Sequence, residues 1–290
     1  MSVFVEQNKT VCDFANSDSW VILSPIEQSI KRKIEAAGTP LKDWDINIYR
    51  GVLTGYNEAF IISTEKRNEI LDNCQTKEER RKTEELIRPI LRGRDIKRYS
   101  YNWAGLYLIW IPWHFPLHLD NSIQGASEKA ENAFMIQYPA IYQHLLQYKD
   151  KLSARNKAET GIRYEWYALQ RWGANYWEDF QKPRIIYREI GFEMDACRVE
   201  QGWMINNKLY MISGSNLTHI LNFFNSKLFN KVILSSANLT GGKGVDFIEK
   251  IVVPSPAECD LSTADDSSTP HLLYAFYKLT NDEINYIENQ

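Results

Sequence analysis

Three observations predict an α+β chain. Short runs rich in Ile with Tyr, Phe or Trp recur at 46–49, 59–63, 105–111 and 184–190 and have the bias of β-strands. Between them lie helical stretches that carry their own capping signals. A composition of 44% hydrophobic and 24% charged residues belongs to a soluble globular chain that can bury a real core, as one large or two smaller domains.

The first twenty residues carry little pattern, and 16–19 reads as a loop. Structure is predicted to begin at Ser24: Ser24, Pro25 and Glu27 form a capping box with Pro at the first helical position. Ile26, Ile30 and Ile34 line one face, and Gly38 ends the helix. Residues 46–63 read as strand, irregular loop, strand, the loop holding Gly51, Thr54, Gly55 and Asn57. Thr76 and Glu79 start a helix over 77–88, and the apolar run 105–111 reads as a buried strand. Residues 127–152 are mostly helical, restarting at Tyr138–Pro139, with Ile141, Leu145 and Leu152 on one stripe. A polar, basic stretch follows at 149–163.

Further on, 184–190 reads as a strand with alternating faces and 203–212 as a hairpin turning at Asn206–Asn207. Asn216 is placed as the cap of an amphipathic helix carrying Leu217, Ile220, Leu221, Phe224 and Leu228. The Gly-rich loop 241–244 leads into a strand over 247–253. A polar linker, 257–270, ends in a helix whose capping box is Thr280 with Glu283 and whose staple is Leu279 with Ile284. Residues 257–290 hold seven acids and one Lys. This divides the chain into an N-terminal extension (1–23), a main domain (24–256), and an acidic linker with a C-terminal helix (257–290).

Charge singles out one place. Between Arg80 and Arg98 eight basic residues face three acidic ones, inside a chain whose total is −3. Pro89 and Gly93 break any continuous helix there and leave Arg92, Arg94, Lys97 and Arg98 on a turn feeding a strand. Guanidinium groups on a stiff corner suit phosphates and the acceptor edge of guanine. The alternative is a solvated face or a set of local ion pairs. Nine Trp, sixteen Tyr and twelve Phe exceed what a core of this size needs, so some are expected on a binding surface.

Signatures of catalysis were sought in turn. The chain has no GxGxxG, no GxxxxGK[ST], no GxSxG and no Pro-Pro, the last ruling out the Asn/Asp-Pro-Pro-aromatic grip of DNA adenine methylation. Asp95 and Lys97 resemble the end of a metal-dependent nuclease pattern whose upstream partner is missing. His114 and His118 have zinc spacing, but Pro112 and Pro116 oppose a helix there, and His144 and His219 lack partners. Cys12, Cys74, Cys197 and Cys259 are far apart, with no CxxC, and fit reduced thiols of a cytoplasmic protein. No apolar run approaches the ~20 residues that span a bilayer, so no membrane is expected as a partner.

Several stretches in order, IYRGVLTGYNEAFIIS, LIRPILRGRDIKRYSYNWAGLYLIW, WEDFQKPRIIYREI, LNFFNSKLFNKVI and GKGVDFIEKIVVP, resemble the C-terminal target-recognition domain of TaqI-like adenine DNA methyltransferases. That family takes in type IIG restriction-modification enzymes and phage-defence methyltransferases and is related to type I specificity subunits. The similarity runs from about residue 24 to 290, and RPILRGRDIKRY after TGYNEAF is its most specific part. It implies a mixed, curved β-sheet domain with peripheral helices and a C-terminal helical segment. Such a domain holds double-stranded DNA against a methyltransferase domain and reads its sequence.

The motif-bearing methyltransferase and nuclease regions of the family are absent, so the resemblance implies a fragment or specificity module without catalytic residues of its own, with 24–256 as the target-recognition domain and 1–23 as an N-terminal extension or join to a missing catalytic domain. S-adenosylmethionine and Mg²⁺ are expected only for catalytic domains in the same or a partner chain. Affinity is assigned to Arg92, Arg94, Lys97 and Arg98, with Lys243 on its Gly loop. Base reading is assigned to Tyr56, Asn57, Arg163, Gln170, Arg171 and Trp172. A small nuclease using Asp95 and Lys97, and a protein-interaction module whose basic corner docks an acidic partner or its own acidic tail, are the competing readings.

Overall fold

The computed structural model describes residues 23–234 and 244–289. In chain order its strands are β1 (Thr39–Pro40), β2 (Ile46–Arg50), β3 (Ile61–Ser63), β4 (Ile87–Leu91), β5 (Ile96–Lys97), β6 (Ser100–Tyr101), β7 (Leu106–Ile109), β8 (Arg184–Arg188), β9 (Ala196–Val199), β10 (Met204–Ile205), β11 (Leu209–Gly214) and β12 (Val252–Val253). They form two four-stranded sheets, ordered β2-β11-β8-β9 and β10-β4-β7-β3, and two short ribbons, β1-β12 and β5-β6. The first sheet is antiparallel throughout, whereas β10 runs parallel to β4 in the second, which makes the fold α+β with a mixed sheet.

The first sheet is buried on both sides. Successive side chains on a strand point to opposite faces, so Ile185, Tyr187, Tyr210 and Ile212 enter one core while Ile186, Cys197, Leu209 and Met211 enter the other. The outer core is closed by helices Pro25–Glu35, Leu217–Phe224, Ser268–Phe276 and Asn281–Glu288, which contribute Ile30, Phe224, Leu273 and Ile287. The inner core lies against the second sheet and helices Thr64–Asp72, Lys77–Leu86, Glu128–Gln137 and Pro139–Leu146. The acidic segment joins the outer core too: Leu261 is fully buried, and Asn222 Nδ2 donates to the carbonyls of Leu261 and Ala264, both at 2.8 Å.

Local signals hold at several ends. Ser24 and Glu27 cap each other's backbone, as do Thr280 and Glu283. Thr76 caps the N–H of Glu79, but Glu79 turns to the N–H groups of Gln75 (2.7 Å) and Ala140 (3.0 Å), tying that helix to helix Pro139–Leu146. Helices Glu128–Gln137 and Pro139–Leu146 meet at Tyr138, where the restart was expected.

Four expectations are corrected. Residues 203–212 are not a hairpin: β10 pairs with β4 and β11 with β2 and β8, so Asn206–Asn207 carries the chain between sheets. Residues 57–60 form a helical turn before β3, and the run 247–253 divides into helix Val245–Glu249 and the two-residue β12. Asn216 precedes its helix at φ +55° without a side-chain cap bond. Short apolar runs suit helix or strand equally, and here the available backbone partners decided.

Candidate nucleic-acid interface

Strand β4 ends at Leu91 and delivers the chain to the basic corner. Asp95 organises that turn: its carboxylate accepts from the backbone N–H (2.8 Å), Nε (3.1 Å) and Nη2 (3.0 Å) of Arg92, and its carbonyl accepts from the Asn102 N–H (2.7 Å). With 4% of its surface exposed and its carboxylate committed to Arg92, Asp95 serves the turn. Arg92 is thereby half-buried. Arg98 is held too, donating to the Asn225 carbonyl from Nε (3.0 Å) and Nη2 (2.8 Å), pairing with Asp266, and lying over the Tyr99 ring. Arg94 and Lys97 are exposed and have no ion-pair partner among the described residues. The four cations therefore divide, two paired with carboxylates of the chain and two without such a partner among the described residues. Lys243 lies outside the described residues.

The second group gathers on a strip of backbone beside this corner. The Asn206 N–H donates to the Leu91 carbonyl (3.2 Å), and the Val52 N–H donates to that of Ile205 (2.9 Å). Leu53 and Arg171 exchange two bonds of 2.9 Å. Because β10 runs parallel to β4, and Val52 parallel to Asn206, the chain leaves Leu91, Ile205 and Leu53 in one direction. Arg92, Asn207 and Thr54 thus stand at the same end of the strip. Arg171 runs antiparallel to Leu53, which sets Gln170 beside Thr54 and Gly55.

Each predicted base-reading residue has a definite setting there. Asn57 Oδ1 accepts from the Thr54 hydroxyl (2.6 Å) and so helps build the turn. The Tyr56 hydroxyl donates to Glu58 and accepts from Lys151 Nζ (2.9 Å), whose ammonium lies 5.3 Å from the centre of the Tyr56 ring. Arg171 is exposed, and Trp172 packs edge-on to Trp110 (5.7 Å). Arg163 pairs with Glu159 (3.0 Å) and covers Trp113 (5.4 Å), whose Nε1 donates to Leu169 (2.8 Å).

Two cations of this region were not singled out in the sequence. Lys208, after β10, has its Cβ 3.8 Å from where a Cβ on Gly93 would stand, and its exposed ammonium lies 3.8 Å from Glu189 Oε2. Arg155 reaches the carbonyls of Thr54, Leu152, Trp166 and Ala168. Burial pushes its guanidinium down to about 10. Arg155 lies in the basic stretch 149–163, where one cation looks like the next, whereas Lys208 stands alone in a segment read as a hairpin.

Among the described residues no three His, Cys, Asp or Glu side chains gather as a metal-binding set. His114 Nδ1 sits 3.0 Å from buried Glu165, and His144 and His219 bond the carbonyls of Ala59 (2.9 Å) and Pro254 (2.8 Å). No described helix is long and apolar enough to cross a membrane.

An α+β chain that presents Arg, Lys, Asn and Gln on loops from one end of a mixed sheet has the build of a recognition domain. Residues 88–250 match the TaqI-like C-terminal specificity domain, and the chain belongs to that family. The type II methyltransferase M.MjaIV of Methanocaldococcus jannaschii is 21% identical over 210 residues, covering 70% of this chain and 61% of that protein. The chain thus spans about three-fifths of the length of that relative. Two solved structures are similar at lower identity. The type IIL restriction-modification enzyme MmeI in complex with DNA is 15% identical with a TM-score of 0.41, over 87% of this chain and 30% of that one. The type IIG restriction endonuclease BpuSI is 13% identical with a TM-score of 0.46, over 88% and 28%.

Proposed function

We propose that the chain is the DNA target-recognition domain of a restriction-modification or phage-defence adenine methyltransferase, binding double-stranded DNA sequence-specifically in the cytoplasm. The observation that carries this reading is the shared direction in which the basic corner and the 54–57 loop leave the sheet. It lets outward cations take phosphates while neighbouring amide and guanidinium groups face base edges. Family membership supports the same reading. Arg94, Lys97 and Lys208 supply the phosphate contacts, Arg92 stiffens the turn, and Arg98 joins once freed from Asp266. Gln170, Arg171, Asn57, Tyr56, Trp172 and Arg163 are the base-facing set, and Lys243 adds a contact from its loop. Methyl transfer, with S-adenosylmethionine, and any Mg²⁺-dependent cleavage belong to methyltransferase and nuclease domains of the same or a partner chain.

Fluorescence anisotropy with random-sequence duplex DNA across a salt series tests the reading. Log affinity should fall linearly with log salt, and Arg94→Ala/Lys97→Ala should reduce the slope by about 2, roughly 0.9 for each lost phosphate contact. No binding at low salt, or a slope unmoved by the double substitution, refutes the role given to this corner. The Arg98–Asp266 pair favours a second reading, in which the corner docks acidic protein segments; binding to an acidic peptide but not to duplex DNA identifies it.

A further inference from the structure

Arg155 is a cation built into the protein with no carboxylate partner among the described residues. Its Nε donates to Leu152 (2.9 Å), its Nη1 to Thr54 (2.5 Å), and its Nη2 to both Trp166 (2.7 Å) and Ala168 (2.9 Å). All four acceptors are backbone carbonyls, and they belong to three separate stretches of chain. Two of those stretches lead straight into the groups assigned to base reading: Thr54 precedes Tyr56 and Asn57, and Ala168 precedes Gln170 and Arg171. The guanidinium lies over Phe60 (5.5 Å) and Tyr164 (5.9 Å), so the plane of its fork is set by packing as well as by hydrogen bonds.

The loop is shaped to this side chain. Gly55 adopts φ +75°, and a Cβ there would stand 2.8 Å from Arg155 Cδ and 2.8 Å from Gln170 Oε1. Glycine is required both by the left-handed backbone and by the close approach. Between the two loops, the reciprocal bonds of Leu53 and Arg171 fix the register, and Arg155 fixes the separation.

We infer that Arg155 is the positioning residue for sequence readout, setting the spacing of loops 54–57 and 168–171 so that their side chains meet base edges together; this rests on the DNA-recognition reading. A lysine in its place carries the charge but as a single point, without the planar fork that spans carbonyls of both loops. Base readout needs that spacing held to a fraction of an ångström, while phosphate binding by the exposed Arg94 and Lys97 does not.

The test uses the full chain. Preferred sites are first selected from randomised duplexes with the wild-type chain, and affinity for the selected site over a scrambled duplex is then measured by anisotropy. For Arg155→Lys the ratio should fall about tenfold or more, the loss of roughly one good base contact, with the salt slope on random duplex retained. A folded Arg155→Lys chain that keeps the ratio and loses only thermal stability overturns the inference. If Arg155→Lys does not fold, Gly55→Ala decides: it keeps the arginine but sets a Cβ 2.8 Å from Arg155 Cδ and 3.3 Å from its Nη1, disturbing the contact that spaces the loops, so a fall in the ratio with the salt slope retained supports the inference and an unchanged ratio overturns it. A wild-type chain with no preferred site overturns the recognition reading and this inference together.

Discussion

Arg98 and Asp266, 168 residues apart in sequence, form an ion pair that joins the basic corner to the acidic C-terminal segment. The same guanidinium donates to the carbonyl of Asn225 at the end of helix Leu217–Phe224. With Arg92 held by Asp95, two of the corner's four cations are therefore already occupied by anions of the same chain.

Replacing Asp266 by Asn should free that cation. Both partners are substantially exposed, so the effect on stability should stay below about 1 kcal/mol. Affinity for random duplex DNA at low salt should rise by roughly two- to fivefold, and the gain should fade at high salt as screening removes it. Anisotropy of the two chains side by side measures this; equal affinities would mean that Arg98 does not face the DNA.

Asp95 should prove structural. Its buried carboxylate satisfies three donors of Arg92, so Asp95→Ala should cost about 1–3 kcal/mol in urea unfolding by leaving those donors without their acceptor. Arg92→Ala should cost at least as much, because it strands a carboxylate that is 4% exposed. Loss of Mg²⁺-dependent DNA cleavage in a chain that keeps its stability would instead revive Asp95 as a nuclease residue.

Gly51 marks the close approach of β2 to the turn after β10. A Cβ there would come within 2.2 Å of the Asn206 carbonyl oxygen and 2.5 Å of that of Ile205, both backbone atoms without freedom to move aside. Gly51→Ala should destabilise by about 1–3 kcal/mol or more, as an overpacked site does, and lower the thermal midpoint. An unchanged midpoint would mean that the two sheets are less tightly joined than this contact requires.

The acid limit of stability should bear the mark of Glu283. Burial works to raise this carboxyl, but the Lys33 ammonium, the Thr280 N–H and the Ser29 hydroxyl outweigh it and hold it down at about 2. A folded value below the unfolded one means stability that is fully present above about pH 4.5 and lost as the pH falls toward 2, at most about 3 kcal/mol in all. Glu283→Gln should be less stable at pH 7 and should flatten this part of the pH profile. A profile that stays equally steep would assign the acid transition to other carboxylates.

Much of the candidate interface was legible as residue types, less of it as geometry. The excess of Arg and Lys between 80 and 98 is a property of composition, and Pro89 and Gly93 announce a turn whatever surrounds it. Whether a given cation faces out depends on which acid lies nearby. Asp95 is three residues from Arg92, so their pairing is local, but Asp266 approaches Arg98 only through the packing of the C-terminal segment on the outer core. Likewise, Gly55 and Gln170 are neighbours only because Leu53 and Arg171, from separate passes of the chain, pair their backbones.

The sequence by itself determined the α+β class, the helix starts at Ser24 and Thr280, the buried stripe of Leu217 to Leu228, and a cationic turn after β4, because caps, periodicities and charge excess act within a few residues of themselves. Only the tertiary structure decided that 203–212 divides between two sheets, that Arg98 is held by Asp266 while Arg94 and Lys97 are left without an ion-pair partner among the described residues, and that Arg155 spans two loops. Those outcomes depend on which carbonyls, rings and carboxylates arrive from distant parts of the chain. A backbone group or a charge with several possible partners takes the one that packing brings within hydrogen-bond reach.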